Sequence, residues 1–257
     1  MRIASLTCSN TEIVCALGLG DQLVALDDYS DHPASIVDSV PRLGPDLSID
    51  VNALEKLKPD LVLASLTVPG HEKVVEAVAD RGLPYIAPDP QCLSDIFRDI
   101  ADISRHLNVV RRGEALIDWM KKGLQEREID HQKKPILIEW WPRPVYAPGQ
   151  KSWVNEMLEL AGAVNPWNEI PQHSFELSRD QAVEKDPEAI VISWCGIDPS
   201  HYQPDKVLSR SGWQEIAAIR HKRVFTIPEA YLGRPGPRVV EGVQRLRAVV
   251  ESLVRES

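Results

Sequence analysis

The chain turns from helix to strand within Leu57-Lys58-Pro59-Asp60-Leu61-Val62-Leu63-Ala64. A helix that starts near Val51 has to end before Pro59, because the residue ahead of a proline disfavours helical geometry. The run 60–64 is almost continuously apolar, which is typical of a strand buried on both faces of a parallel sheet. The junction therefore predicts a helix leading into a parallel strand, the repeating unit of an α/β fold.

The same alternation extends on both sides of this junction. Short apolar runs predict strands at 2–6, 23–26 and 83–87, and helical spacing predicts helices at 72–81 and after Leu6. The first of these helices is expected to have Ser9 or Asn10 as its N-cap, with Glu12 near the third position. The first third of the chain thus predicts a mostly parallel sheet with helices on both faces.

The middle of the chain has no strand pattern. Apolar residues recur at helical spacing from Ser94 to about Glu128, with a break near Asn108. The second helix, from about Val110 to Glu128, would span ~27 Å at 1.5 Å per residue. We therefore expect an N-terminal α/β lobe at 1–108, a linker helix at 109–129 and a C-terminal lobe at 130–257.

The last part returns to the first rhythm. Strands are predicted at 135–140, 189–194 and 223–227, and helices at 153–161, 180–184 and 237–255. The predicted architecture is α/β, with two Rossmann-like lobes joined by a single long helix and a ligand cleft between the lobes.

Composition excludes several classes of protein. The 257 residues carry a formal net charge of −9, which argues against nucleic-acid binding, since phosphate contacts need clustered Lys and Arg. No nucleophile elbow, Walker loop or zinc-protease motif occurs. The seven histidines are scattered, so neither a catalytic nor a metal site is predicted, and no cofactor is expected. We expect a binding protein that is not an enzyme and is a monomer.

The sequence leaves the compartment open. The four cysteines form no C-x-x-C pair and slightly favour a reducing compartment. No secretory leader precedes the first predicted strand, and no run is long enough to span a membrane. We expect a cytoplasmic protein if Met1 is the true start, and a periplasmic or extracytoplasmic one if a leader was removed.

Ligands of open α/β sheets bind beyond the carboxyl ends of the strands. In the first half, Tyr29 follows a strand. In the second half, three tryptophans follow or end strands, and an aromatic wall would suit a large flat ligand. Adjacent Trp140 and Trp141 should point to opposite faces, and Trp194 fits a cleft or a core equally well. Trp119, Trp153 and Trp213 lie on helical patterns and are expected in the core.

A charged loop follows the last predicted strand. It contains Glu229, Tyr231 and Arg234, and the segment Pro235-Gly236-Pro237 then leads to Arg238. Such rigidity can pre-organise a site, although a solvated surface loop explains the same residues.

Several motifs resemble the solute-binding family of ABC importers that carries cobalamin, haem and ferric siderophores. They are Ser9-Asn10-Thr11-Glu12, Asp28-Tyr29-Ser30-Asp31-His32-Pro33 and Leu57-Lys58-Pro59-Asp60-Leu61-Val62, with Pro187-Glu188-Ala189-Ile190 in the second half. The resemblance covers nearly the whole chain. It implies two α/β lobes, a rigid helix between them, and delivery of a bound ligand to a membrane permease.

The resemblance also implies roles for single residues. Tyr29 matches an aromatic ligand contact of the N-terminal lobe, and Glu229 matches an acid of the last cleft loop. Glu72 matches the acid that docks on permease arginines, and Asp198 and Asp205 are candidates for its C-terminal counterpart. The N-terminal tryptophans of the cobalamin-binding relative are absent, with Leu43-Gly44-Pro45 and Ser65-Leu66-Thr67 in their places.

The leading hypothesis is reversible binding of a cobalamin-like corrinoid. Haem or a ferric siderophore is the alternative ligand, with Tyr29, His71 or Tyr231 contacting iron and Arg234 and Arg238 pairing with ligand carboxylates. A cytoplasmic enzyme or metallochaperone acting on a corrinoid or metal is the rival from another class.

Overall fold

The computed structural model describes residues 1–130 and 132–255. The chain forms two compact units. The first comprises Met1–Pro90 and Ser94–Lys121, and the second comprises Gln91–Leu93 and the residues from Lys122 onward. The boundary between them falls inside a helix. A mixed α/β architecture with a parallel sheet in each unit confirms the predicted fold class.

The first unit is built on a parallel sheet of the order β2-β1-β3-β4. Its strands are β1 (Ile3–Ser5), β2 (Leu23–Leu26), β3 (Leu61–Leu63) and β4 (Tyr85–Ile86). Its helices are α1 (Cys8–Ala16), α2 (Ala34–Val37), α3 (Val51–Lys56), α4 (His71–Ala79), α5 (Leu93–His106) and α6 (Val110–Gly123), the last two reaching the unit boundary.

The predicted junction from helix to strand is confirmed. The helix α3 ends at Lys56, and β3 begins at Leu61 as a fully buried central strand. Ile3 of β1 pairs with Leu61, so the two central strands run side by side from their first residues. Leu54 of α3 is fully buried against the same sheet, which fixes α3 on one face of it.

The second unit contains a parallel sheet of the order β11-β10-β5-β8 and an antiparallel sheet of the order β6-β7-β9. Its strands are β5 (Lys134–Glu139), β6 (Trp141–Pro142), β7 (Val145–Pro148), β8 (Ala163–Val164), β9 (Ser174–Glu176), β10 (Ala189–Ile192) and β11 (Val224–Thr226). Its helices are α7 (Val154–Leu160), α8 (Arg179–Lys185), α9 (Pro204–Leu208), α10 (Ala217–Arg220), α11 (Glu229–Leu232) and α12 (Val239–Arg255).

Two expectations about helix ends were wrong. Helix α1 begins at Cys8 with Thr7 as its N-cap, two or three residues earlier than predicted, so Ser9 and Asn10 lie inside the helix rather than capping it. Helix α6 ends at Gly123 instead of near Glu128. A glycine commonly ends a helix. Beyond Gly123, the guanidinium of Arg247 in α12 donates a hydrogen bond of 2.7 Å to the backbone carbonyl of Gln125.

The helical tryptophans divide into core and surface. Trp153 and Trp213 are 7% and 3% exposed, as expected, but Trp119 is 52% exposed and its predicted place in the core was wrong. In the part of the chain that the structure describes, no helix combines the length and the apolar composition that a membrane crossing requires.

Candidate functional site

In the first unit, a buried polar network fixes the loop that follows β2. The Asp27 carboxylate is fully buried and accepts hydrogen bonds from the backbone N–H of Tyr29 at 2.9 Å and from the hydroxyl of Ser30 at 2.5 Å. Arg42 donates to the carbonyls of Asp27 and Ser30 at 2.7 and 2.6 Å. These hydrogen bonds fix the backbone of the loop, and Tyr29 within it is 45% exposed.

The segment Ser9-Asn10-Thr11-Glu12 belongs to the same network. The Thr11 hydroxyl lies 2.7 Å from that of Ser30, and the Asn10 amide donates to the carbonyl of Ala64 at 2.6 Å. Helix α1 is thereby tied to the ends of both β2 and β3. These polar residues hydrogen-bond to the loops at the carboxyl edge of the sheet, which is the edge at which its parallel strands end. They do not form a capping box.

In the second unit, Tyr202 brings three of the predicted site residues together. Its hydroxyl donates to the carbonyl of Trp194 at 3.0 Å and accepts the backbone N–H of Glu229 at 3.2 Å, and the Trp194 and Tyr202 rings are 5.5 Å apart. Glu229 pairs with Arg234 at 3.1 Å. Tyr202 is 8% exposed, and burial raises its pKa to about 12. Nothing in the sequence around Tyr202 sets it apart, so it escaped prediction.

Trp194 is mostly buried, at 5% exposure, and packs in the core of the second unit. Its indole N–H donates to the fully buried carboxylate of Glu139 at 2.9 Å, and Arg210 contacts both oxygens of that carboxylate at 2.7 and 2.8 Å. Arg210 also lies over the ring of Trp213 at 4.4 Å. The pair Glu139–Arg210, which the sequence did not indicate, fixes the orientation of Trp194.

The adjacent tryptophans differ in exposure. Trp140 directly follows β5 and is 9% exposed, whereas Trp141 begins β6 and is 41% exposed. The indole of Trp141 donates to the carbonyl of Arg143 at 3.1 Å, which holds it against the turn of its own hairpin. Trp141 is thus an ordered aromatic surface beside the carboxyl edge of the second sheet.

Tyr231 and Glu72, two further predicted site residues, lie apart from this cluster in their contacts. The ring of Tyr231 lies against the guanidinium groups of Arg245 and Arg238, at 4.0 and 5.4 Å from their central carbons. Glu72, in the first turn of α4, is exposed and accepts the backbone N–H of Gly70 at 2.8 Å. Backbone hydrogen bonds lower the pKa of Glu72, so the carboxylate is charged at neutral pH.

Asp198 and Asp205, the candidates for a second docking acid, are both exposed. Asp198 accepts two hydrogen bonds from Ser200, which lower its pKa. Among the described residues, no group of three or more His, Cys, Asp or Glu side chains is placed to hold a metal ion, and no disulfide joins the four cysteines.

A model of the periplasmic binding protein family matches residues 3–231. An ABC transporter substrate-binding lipoprotein of Bacillus subtilis (strain 168) is 32% identical over 255 residues, covering 95% of this chain and 78% of the relative. A vitamin B12-binding protein of Pectobacterium carotovorum is 26% identical over 260 residues, covering 98% of this chain and 89% of the relative.

Among solved structures, the apo form of a periplasmic heme-binding protein from Roseiflexus sp. RS-1 superimposes with a TM-score of 0.84. It is 22% identical, and the match covers 98% of each chain. At this identity the likeness shows the fold.

Proposed function

This chain belongs to the periplasmic binding protein family, and from that premise we propose that it binds a cobalamin-like corrinoid and delivers it to a membrane permease. At the coarser level, it is a solute-binding protein of the ABC-transporter type, which carries a ligand and is not an enzyme. The enzyme alternative is thereby set aside. The corrinoid, the contact residues and the docking surface form the proposal.

One observation carries the choice of a large flat ligand. Each unit exposes an aromatic residue beside the carboxyl edge of its sheet, Tyr29 at 45% and Trp141 at 41% exposure. The indole of Trp141 is held by its hydrogen bond to Arg143, and the backbone of Tyr29 is held by Asp27, which lowers the conformational entropy lost when a flat ligand stacks on these residues. Glu229 and Arg234 add a charged pair for polar groups at the ligand periphery. Relatives named as vitamin B12-binding proteins over nearly the whole chain favour a corrinoid.

Calorimetric titration with cyanocobalamin tests the proposal. We expect saturable binding of one equivalent at micromolar affinity or tighter. Trp141→Ala should weaken it about tenfold, equivalent to ~1.4 kcal/mol. Trp119→Ala is the matched control, because Trp119 is also an exposed tryptophan but lies on α6. Absence of saturable heat, or equal weakening in both variants, would contradict the corrinoid proposal.

Haem is the second candidate, favoured by the exposed phenol of Tyr29, which could ligate ferric iron. Titration with haemin in the same buffer separates the two ligands. A saturable Soret shift that Tyr29→Phe abolishes would assign the site to haem. Tyr85→Phe is the control, since Tyr85 is similarly exposed, at 42%, on β4.

We further propose that the protein works as a monomer outside the cytoplasm. The location outside the cytoplasm is supported by the relative that is named a lipoprotein. Glu72 is proposed as the docking acid of the first unit, and Asp198 or Asp205 as that of the second, because all three carboxylates are exposed. A fixed negative charge at such a position would pair with permease arginines.

A further inference from the structure

The second unit contains a pocket beside Trp194, one of the residues predicted above as a candidate ligand contact. It has a volume of about 620 Å³, within the ~300–1,000 Å³ typical of small-molecule sites. The hairpin of β6 and β7 forms one side and the segment that begins with α9 forms the other. Its apolar surface comes from Val145, Trp194 and Val207, and its cationic groups come from Arg143, Lys206 and Arg210.

The charge of this pocket opposes that of the chain as a whole. The protein has a formal net charge of −9, yet no carboxylate-bearing residue lines the pocket. Arg210 is balanced by the buried carboxylate of Glu139 behind it. Among the described residues, Arg143 and Lys206 form no ion pair with any carboxylate, so two positive charges face the pocket without internal compensation.

The two kinds of lining group have different roles. Arg210 is anchored by two short hydrogen bonds and by the ring of Trp213, so it offers a fixed edge of the guanidinium plane. Arg143 and Lys206 are exposed and can adjust to a ligand. A ligand whose apolar part packs against Val145 and Trp194 would exclude water from the pocket. Its anionic group would then pair more strongly with these cations, because water competes less for them.

We propose that this pocket binds a small organic anion, in which a carboxylate or phosphate is attached to an apolar body about the size of one ring. The anionic oxygens pair with Arg143 and Lys206, and the ring packs on Trp194. The pocket shares Trp194 with the predicted ligand contacts, but the corrinoid argument uses neither Arg143 nor Lys206 as a cation, so small anionic probes test the pocket separately from cyanocobalamin.

The test uses the indole N–H signal of Trp194 in a ¹H–¹⁵N spectrum of the full chain, assigned with Trp194→Phe. Phenyl phosphate and benzoate are the anionic probes, and benzamide is the neutral analogue. We expect both anions to shift the signal saturably, and benzamide to be at least tenfold weaker. The better of the two anions then identifies the ligand class as phosphate or carboxylate.

The decisive variant is Arg143→Gln with Lys206→Gln, and the matched control is Arg111→Gln with Lys122→Gln. All four side chains are exposed, so both pairs should fold, and both remove the same charge. We expect the first pair to weaken anion binding at least tenfold and the second pair to leave it unchanged. Equal effects in both pairs, binding of benzamide as tight as benzoate, or no saturable shift with either anion would overturn the proposal.

Discussion

Glu139 is an ionisable side chain with no exposure in the interior of the second unit. It stands at the end of β5, where the sequence suggested only a buried apolar strand. Its carboxylate is satisfied by the indole of Trp194 and by both terminal nitrogens of Arg210. A buried charge with a single ionic partner makes the chain depend on that partner far more than on a surface pair.

Arg210→Met is therefore expected to destabilise the protein by about 3–5 kcal/mol, because it leaves Glu139 buried without a counter-charge. Urea unfolding followed by circular dichroism measures the loss. The double substitution Glu139→Met with Arg210→Met should recover much of it, since apolar groups of similar volume replace the pair. An unchanged unfolding midpoint in Arg210→Met, or a double variant no more stable than the single one, would contradict this account.

The same scale shows what single residues could and could not reveal in advance. The burial of Trp153 and Trp213 was predicted correctly. The exposure of Trp119 was not, since helical spacing says which residues share a face and not whether a neighbour covers that face. Tyr202 and Arg210 reach their partners across 8 and 71 positions of the chain, and no local pattern encodes such contacts.

At the scale of elements, the strands of the parallel sheets were predicted except for the two-residue β8. They are apolar on both faces, as β10 is throughout. The antiparallel sheet was missed, because β6 and β7 each contain a proline, Pro142 and Pro148, and prolines normally argue against a strand. Only the pairing of β7 with the distant β9 makes a three-stranded sheet of them.

Helix α5 contains a partly buried carboxyl group, Asp99, whose effect on stability depends on pH. Asp99 lies on this helix, and its Oδ2 is buried without a hydrogen-bond partner among the described residues. Burial raises the pKa of Asp99 to about 6, and the nearby carboxylates of Asp95, Asp102 and Asp89 add to the effect against Arg98. The folded chain thus holds this proton more tightly than the unfolded chain does.

The consequence is a loss of stability as pH rises. Below about pH 4 the group is protonated in both states, and as pH rises through 6 the folded state bears the cost of ionising it. Asp99→Asn should raise the free energy of unfolding at pH 7, relative to wild type, by about 1–2 kcal/mol more than it does at pH 4. Asp118→Asn, on the exposed face of α6, is the control. Parallel stability–pH curves for Asp99→Asn and wild type would refute the assignment.

At the scale of the whole molecule, the α/β rhythm of each half was sufficient to predict two parallel sheets, and the motifs described above predicted the family. The sequence could not predict which groups stand free at the carboxyl edges. Tyr29 is exposed because the buried carboxylate of Asp27 fixes its loop, and Trp194 is buried because Glu139 and Tyr202 hold it inward. The identity of the ligand depends on these placements, which result from the folded arrangement.

Under the proposed function, Glu72 is the docking acid of the first unit, and docking can be tested on the whole molecule. Its carboxylate is exposed, charged and held at the start of α4 by the N–H of Gly70, so its removal should weaken docking without changing the ligand contacts. We expect Glu72→Gln to lower the stimulation of importer ATPase activity about tenfold in proteoliposomes, using the ABC importer that the wild-type chain stimulates. Cyanocobalamin affinity, measured on the free protein, should stay within twofold.

Glu76→Gln is the matched control, because Glu76 is exposed one turn further along the same helix. The two variants have the same net charge, so a difference between them isolates position from charge. A uniform loss in both variants would point to long-range attraction between an acidic protein and a basic permease face. Full stimulation by Glu72→Gln would place the docking contact elsewhere on the first unit, and a parallel fall in ligand affinity would make Glu72 a ligand residue instead.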